Sequence, residues 1–291
     1  MPRINRTVLM SDALHFSADQ AINPYYKDQK VDILKAIREH TAISTALSSA
    51  GIAITFVPSP LKSQDGVYTA NWALVRGNTA ILARLPEVRH AEIMHAKNIL
   101  KNLGKTVIEV PAGLKFSGQG DALACGNFLF CGQGYRSDEA AQAFAAEKLG
   151  YQRIQLQTIP KVDDAGLPML NAVTGWADSF FYDIDLALSI IRAPEADQKG
   201  LIAYCPEAFT VESQAILKDF DEVDKISVSI DEATHSFATN LVSTGKTVIM
   251  SASAPLLKLA LESYGLTVLT PKISELAKGG GYIRCTTLTL D

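Results

Sequence analysis

Val242-Ser243-Thr244-Gly245-Lys246-Thr247-Val248-Ile249-Met250 is the stretch from which the rest of the chain is best read. Two β-branched runs flank a glycine-bearing turn, the pattern of a β-hairpin. Residues 254–264 follow with apolar side chains at helical spacing, and residues 266–270 form another short β-rich run. One unit is therefore strand, strand, helix, strand.

The same order recurs outward from this unit. Helical patterns fall at residues 28–50, 86–103, 138–149 and 211–220, each followed by a β-rich run at 52–57, 106–110, 153–157 and 225–229. Further hairpins read at Val75-Arg76-Gly77-Asn78-Thr79-Ala80-Ile81 and at Cys125-Gly126-Asn127-Phe128. Five loops then stand at comparable places. They are Tyr68-Thr69-Ala70-Asn71, Phe116-Ser117-Gly118-Gln119-Gly120-Asp121, Tyr182-Asp183-Ile184-Asp185, Phe237-Ala238-Thr239-Asn240 and the glycine turn leading to Cys285. Their spacing of roughly 50 to 65 residues is one at which internal repeats dictate architecture. The units share element order rather than letters. A ring of them would aim polar loop residues at one axis and form a single central cleft. No Pro/Gly/Ser-rich linker interrupts residues 1–291, so one α/β domain is expected.

Composition narrows the function. With 291 residues, 47% hydrophobic and 20% charged, the chain can bury a large core. The net charge of -4, with no Lys/Arg run, argues against nucleic acid or an anionic membrane as partner. Thr7-Val8-Leu9-Met10 is too short an apolar run for a signal peptide, and no window approaches a transmembrane span. Cys125, Cys131, Cys205 and Cys285 have neither metal-ligand spacing nor disulfide density, so reduced thiols in a cytoplasmic protein are expected.

The chain's last residues, Gly279-Gly280-Gly281-Tyr282-Ile283-Arg284-Cys285-Thr286-Thr287-Leu288-Thr289-Leu290-Asp291, join three glycines to a lone cysteine on a strand-like tail. A cysteine becomes a nucleophile when a positive neighbour or a cationic substrate stabilises its thiolate. Arg284 is adjacent, but neighbours on a strand point to opposite faces. An inert, buried C-terminal cysteine is the alternative.

These stretches resemble a known group. The terminal motif, Asp65-Gly66-Val67-Tyr68-Thr69-Ala70-Asn71, Gly118-Gln119-Gly120-Asp121-Ala122-Leu123, Gly132-Gln133-Gly134-Tyr135-Arg136-Ser137-Asp138 and Ala21-Ile22-Asn23-Pro24 occur in the right order. Together they make the chain similar to the guanidine-modifying (pentein) superfamily of arginine deiminases, dimethylarginine dimethylaminohydrolases and glycine amidinotransferases. The resemblance covers nearly the whole chain and implies a five-bladed α/β propeller of ββαβ units about a pseudo-five-fold axis. It also implies that a cysteine attacks the central carbon of a guanidinium or amidinium held by carboxylates, while a histidine protonates the leaving amine. Cys285 takes the nucleophile's place, and Asp185 that of the guanidinium-binding aspartate.

Two positions depart from that pattern. Asp183 stands where the family has histidine, and Ser117 where it usually has glutamate. An aspartate with an ordinary pKa of about 4 is a poor acid for an amine leaving group unless burial or a second carboxylate raises it. Two residues apart on a strand, Asp183 and Asp185 would share a face. His235, just before the fourth loop, is the histidine nearest any mouth and a candidate replacement acid. Asn71, Asn240, Asp121 and Asp65 are further candidates for holding a ligand. His15, His40, His90 and His95 are expected to be solvated, and the other three cysteines structural. Neither Gly-Gln-Gly opens a dinucleotide-binding unit.

The implied ligand is a small cationic guanidino or amidino compound, with no cofactor and no metal site. A homo-oligomer is compatible with the sequence. Two functions stay open: a cysteine-dependent hydrolase or transferase with altered acid/base residues, or a protein that binds such a cation without turnover.

Overall fold

The computed structural model describes residues 4–27 and 30–291. Five three-stranded sheets repeat one plan. The first uses β1 (Thr7–Ser11), helix α1 (Ile33–Ser49) and β2 (Ala53–Val57), with β1 and β2 parallel from Thr7 opposite Ala53 to Ser11 opposite Val57. Asp32 caps α1 by accepting from Lys35 N at 3.0 Å. The expected start of this helix at residue 28 lies outside the described residues. The second sheet has β3 (Ala73–Arg76), β4 (Thr79–Leu82), α2 (His90–Asn102) and β5 (Thr106–Glu109). The third has β6 (Ala122–Cys125), β7 (Phe128–Gln133), α3 (Glu139–Leu149) and β8 (Gln152–Gln157). The fourth has β9 (Leu188–Arg192), β10 (Gly200–Tyr204), α4 (Val211–Asp219) and β11 (Val223–Ser227). A short helix, α5 (Ile230–Ser236), precedes the fifth sheet of β12 (Val242–Ser243), β13 (Thr247–Ile249), α6 (Pro255–Ser263) and β14 (Thr267–Leu269).

The plan closes at β15 (Leu288–Thr289), which returns to β1 antiparallel, Val8 opposite Thr289 and Leu9 opposite Leu288. The first blade is thus built from both ends of the sequence. In each blade the edge strand pairs antiparallel with the central one, which runs parallel to the last across the helix. This is the five-bladed α/β propeller. β3, β6, β9, β12 and β15 are the antiparallel edge strands, and β5, β8, β11, β14 and β2 the parallel ones. A tight turn precedes four of them: Thr69–Trp72, Gly118–Gly120 and Ile184–Leu186 are single 3-10 turns, and a further turn spans 283–286. Asn71, Asp121, Asp185 and Cys285 ride on or directly after these turns.

His40 is not solvated as expected. It shares one stripe of α1 with Ala36, Ile43 and Leu47 and is 7% exposed, with no hydrogen-bond partner for Nε2. Burial holds its pKa down at about 4, only partly offset by Asp12 and Ser11. The fold therefore keeps His40 neutral, and this contribution is present above the unfolded value of about 6.5 and lost as pH falls through the folded value. About 2–3 kcal/mol of stability is expected to disappear between pH 7 and pH 4 on this account, and His40→Leu to remove that part of the dependence. Urea midpoints across this range check it.

Candidate active site

Cys285 sits in the 283–286 turn rather than on the tail strand, because the chain must fold back before β15 can pair with β1. Asn240 fixes this turn. Its Oδ1 accepts from Tyr282 N and Cys285 N, both at 3.1 Å, and its Nδ2 donates to Cys285 Sγ at 3.1 Å. Gly280 adopts φ 83°, where a side chain would be strained and would collide with Asn23. A Cβ on Gly281 would stand 2.6 Å from the Tyr68 ring and 2.9 Å from Cys285 Cβ, so glycine is needed for close approach. Arg284 does point away from the thiol's side, donating to Gln119 Oε1 at 2.9 Å, but turn geometry, not strand alternation, separates the two.

The thiol donates to Asp185 Oδ2 at 3.5 Å. Asp185 lies in the 3-10 turn and Asp183 is the extended residue before it, so the pair is not two positions of one strand. They nevertheless interact: burial first, then the charge of Asp183, pushes Asp185 well above the ordinary carboxylate range. Asp121 is raised in the same way, by burial and then by Asp183. Asp183 is raised by burial, with Arg136, Ser117 and Asn71 working against it. Burial, Asp185 and Asp183 together hold the Cys285 thiol well above its usual range. Asp65 Oδ2, Asp121 Oδ2, Asp183 Oδ1 and Asp185 Oδ1 are all buried and receive no hydrogen bond.

Asn71 joins the second and third mouths. Its Nδ2 donates to Asp183 Oδ2 at 2.7 Å and to Ser117 Oγ at 2.9 Å, and its Oδ1 accepts from Arg89 Nη1 at 3.0 Å. Arg89 is clamped by Glu92, 2.6 Å away, and lies 3.9 Å from Asp65, whose Oδ1 accepts from Tyr26 at 2.5 Å. Cys285, Asp65, Asn71, Arg89, Arg136 and Tyr182 line one enclosed space of ≈ 10 Å³, room for about one water. Ile22 and Asn23 close it: Arg136 donates to Ile22 O, and Asn23 to Gly279 O at 3.0 Å. Arg136 lies 4.8 Å over the Tyr182 ring and has no ion-pair partner among the described residues.

The structure thus assembles Cys285, Asp183, Asp185, Asp121, Asp65, Asn71, Ser117 and Asn240 from distant parts of the chain. It does not bring His235 to them. That ring is 74% exposed and pairs with Asp231 at 3.0 Å, one turn earlier on α5. The reason is the helix end. Phe237 takes a left-handed conformation, φ 50°, that turns the next three residues inward to Asn240 while His235 stays outside. Arg89 and Arg136 were missed as site residues. Arg136 lay within the quoted Gly132–Asp138 motif, whereas Arg89 carried no signal beyond a glutamate three residues on.

Among the described residues, no group of three or more His, Cys, Asp or Glu could hold a metal ion, and no helix is long and apolar enough to cross a membrane. A family model described as N,N dimethylarginine dimethylhydrolase, eukaryotic, matches residues 13–168. The chain is 29% identical over 286 residues to the bifunctional arginine dihydrolase/ornithine cyclodeaminase AgrE of Nostoc sp., covering 96% of itself but 37% of that protein's length. It is 28% identical to N(G),N(G)-dimethylarginine dimethylaminohydrolase of Mycobacterium tuberculosis, over 99% of itself and 87% of that protein. Among solved structures it is similar to the N-terminal domain of ArgZ, a cyanobacterial arginine dihydrolase, as a cysteine-to-serine variant bound to substrate. The TM-score is 0.82 at 25% identity, covering 97% of each chain.

Proposed function

Because the chain belongs to the N,N-dimethylarginine dimethylhydrolase family, we propose that it hydrolyses a C–N bond of a guanidino compound such as an arginine derivative, with Cys285 as nucleophile. One observation carries this: the thiol lies 3.5 Å from Asp185 in a buried chamber whose acids keep unpartnered oxygens. A planar cation rich in N–H donors satisfies such oxygens and cancels their mutual repulsion. Its arrival lowers the pKa of the thiol, so ionisation of Cys285 is tied to substrate binding, and the proton that sulfur gives up stays on the adjoining Asp183–Asp185 pair.

The steps follow from these positions. Ile22 and Asn23 part to admit the guanidinium, and Arg136, which forms no ion pair among the described residues, takes an acidic group at the far end of the substrate. Sulfur bonds to the guanidino carbon, a C–N bond breaks, and the amine departs with a proton from Asp183, whose raised pKa lets it hold that proton closer to neutral pH than a solvated aspartate does and take one back from the incoming water. Water then adds to the sulfur-bound carbon, the S–C bond breaks, and the thiol regains its proton. Asn240 Nδ2 steadies the thiolate in both half-reactions.

Arginine, dimethylarginine, agmatine and guanidinoacetate, followed for released amine and for a ureido or carbamoyl product, test this. Turnover of at least one, with a transient adduct on the Cys285 peptide in mass spectrometry, is expected. Binding of these cations with neither turnover nor adduct would leave the second reading, a cation-binding protein, which the aspartate at position 183 favours. If Asp183 is the weak acid proposed, Asp183→His is expected to raise kcat by about 10²-fold near neutral pH, since a histidine titrates there. An unchanged or lower kcat removes Asp183 from that role.

A further inference from the structure

The small chamber poses a problem that a second cavity answers. The space beside Cys285 holds about one water, so a substrate entering past Ile22 and Asn23 has to widen it and then blocks that side of the thiol, as does the covalent adduct. An amine must still leave the carbon, and a water must still arrive.

On the axis of the propeller lies a separate cavity of ≈ 300 Å³, about thirty times the ≈ 10 Å³ beside Cys285. Edge strands wall it: Leu123 of β6 and Leu188 of β9 line it, with Leu241 just before β12. The first ends of these strands carry the chamber residues. Their other ends form the opposite rim, where Arg76, Gly126 and Asp291 border the cavity. Asp185 borders it too, and Asp185 is the residue whose Oδ2 touches the Cys285 thiol. Thr239 and Arg284 stand beside it. Asp185 Oδ1 and Thr239 Oγ1, 1% and 0% exposed by residue, receive no hydrogen bond from the protein. Buried oxygens of this kind are completed by small donors, water or ammonia, supplied from a neighbouring space.

We propose that this axial cavity is a second entrance, through which water reaches Cys285 and the leaving amine departs, past Asp185 and on the face opposite the substrate mouth. The inference rests on the hydrolase reading for the amine, but access of a water-sized molecule to the thiol does not depend on it.

Ala124 lines the cavity with an exposed side chain, so Ala124→Trp narrows the axial route without disturbing the core. Hydrogen peroxide is a water-sized probe. Its reaction needs the thiolate, so the comparison is run at alkaline pH to offset the raised thiol pKa; Cys285 is converted to sulfenic acid with release of water, and peptide mapping separates this cysteine from the other three. Without any substrate, Ala124→Trp is expected to slow Cys285 oxidation about 5-fold or more, judged against the intrinsic reactivity of an unhindered thiol. Ile190→Trp, on the same wall, serves if the first variant melts early. With a turned-over guanidine, adduct formation is expected to keep its rate while steady-state turnover falls about 10-fold and adduct accumulates. Unchanged peroxide oxidation in a folded variant overturns the proposal. So does equal loss in both kinetic phases. If no guanidine is turned over, the hydrolase reading fails while the peroxide comparison still decides the route.

Discussion

Cys285→Ser is expected to abolish guanidine hydrolysis, by about 10⁴-fold or more, while leaving the fold in place. The serine hydroxyl would face the same Asn240 amide and the same Asp185 oxygen. It would gain no base able to take its proton: the one exposed candidate histidine, His235, is committed to Asp231 at the surface. A cation that lowers a thiol pKa into a useful range leaves a hydroxyl un-ionised. The oxygen is smaller than sulfur, so stability is expected to change by about 1 kcal/mol at most. The substrate's grip on the acids and on Arg136 survives, so the variant is expected to melt higher when substrate is added. Quenched single-turnover assays with thermal melts measure both. Residual turnover above roughly one part in a hundred would place the nucleophile elsewhere.

Asp185→Asn is expected to remove activity and to raise stability, with the sign of the second effect set by pH. The native state holds Asp185 well above the usual carboxylate pKa because burial and Asp183 disfavour its charge. A group raised in this way stabilises the fold fully below its unfolded pKa, and that contribution is lost as pH rises through the native value. At pH 8 the wild-type chamber therefore keeps an acid at a cost, and asparagine has no such cost. A gain of about 1–3 kcal/mol at pH 8, shrinking toward zero at pH 4, is expected in urea unfolding. Loss of the carboxylate that holds cation and thiol together is expected to lower kcat/KM by about 10³-fold. Destabilisation at pH 8 instead would make Asp185 an ordinary structural acceptor.

The period of the chain was legible because four of the five units carry their own hairpin, followed by a helix and a strand, all local patterns. The helices at 86–103, 138–149, 211–220 and 254–264 and the runs that follow them fall within a few residues of α2, α3, α4, α6 and their strands. What local pattern could not reveal is what depends on distant partners. The pairing of β15 with β1 joins residues more than 270 apart, and it is this pairing that lifts Cys285 off a strand and into a turn. The left-handed Phe237 that leaves His235 outside has no glycine to announce it. Arg89 looks like any helix-start arginine until Glu92, Asn71 and Asp65 surround it. His40 sat in an apolar stripe, and the polar letter hid the periodicity.

A blade shared by both ends of the sequence makes the reactive centre depend on the longest-range pairing in the fold. Bringing Thr7 and Leu290 together closes a loop of almost the whole chain, at an entropic penalty that local hairpins do not carry. Until that seam zips, the glycine turn has no frame, Asn240 has nothing to brace, and the sulfur lacks its acidic neighbours. A ring left open at this seam is expected to be inactive.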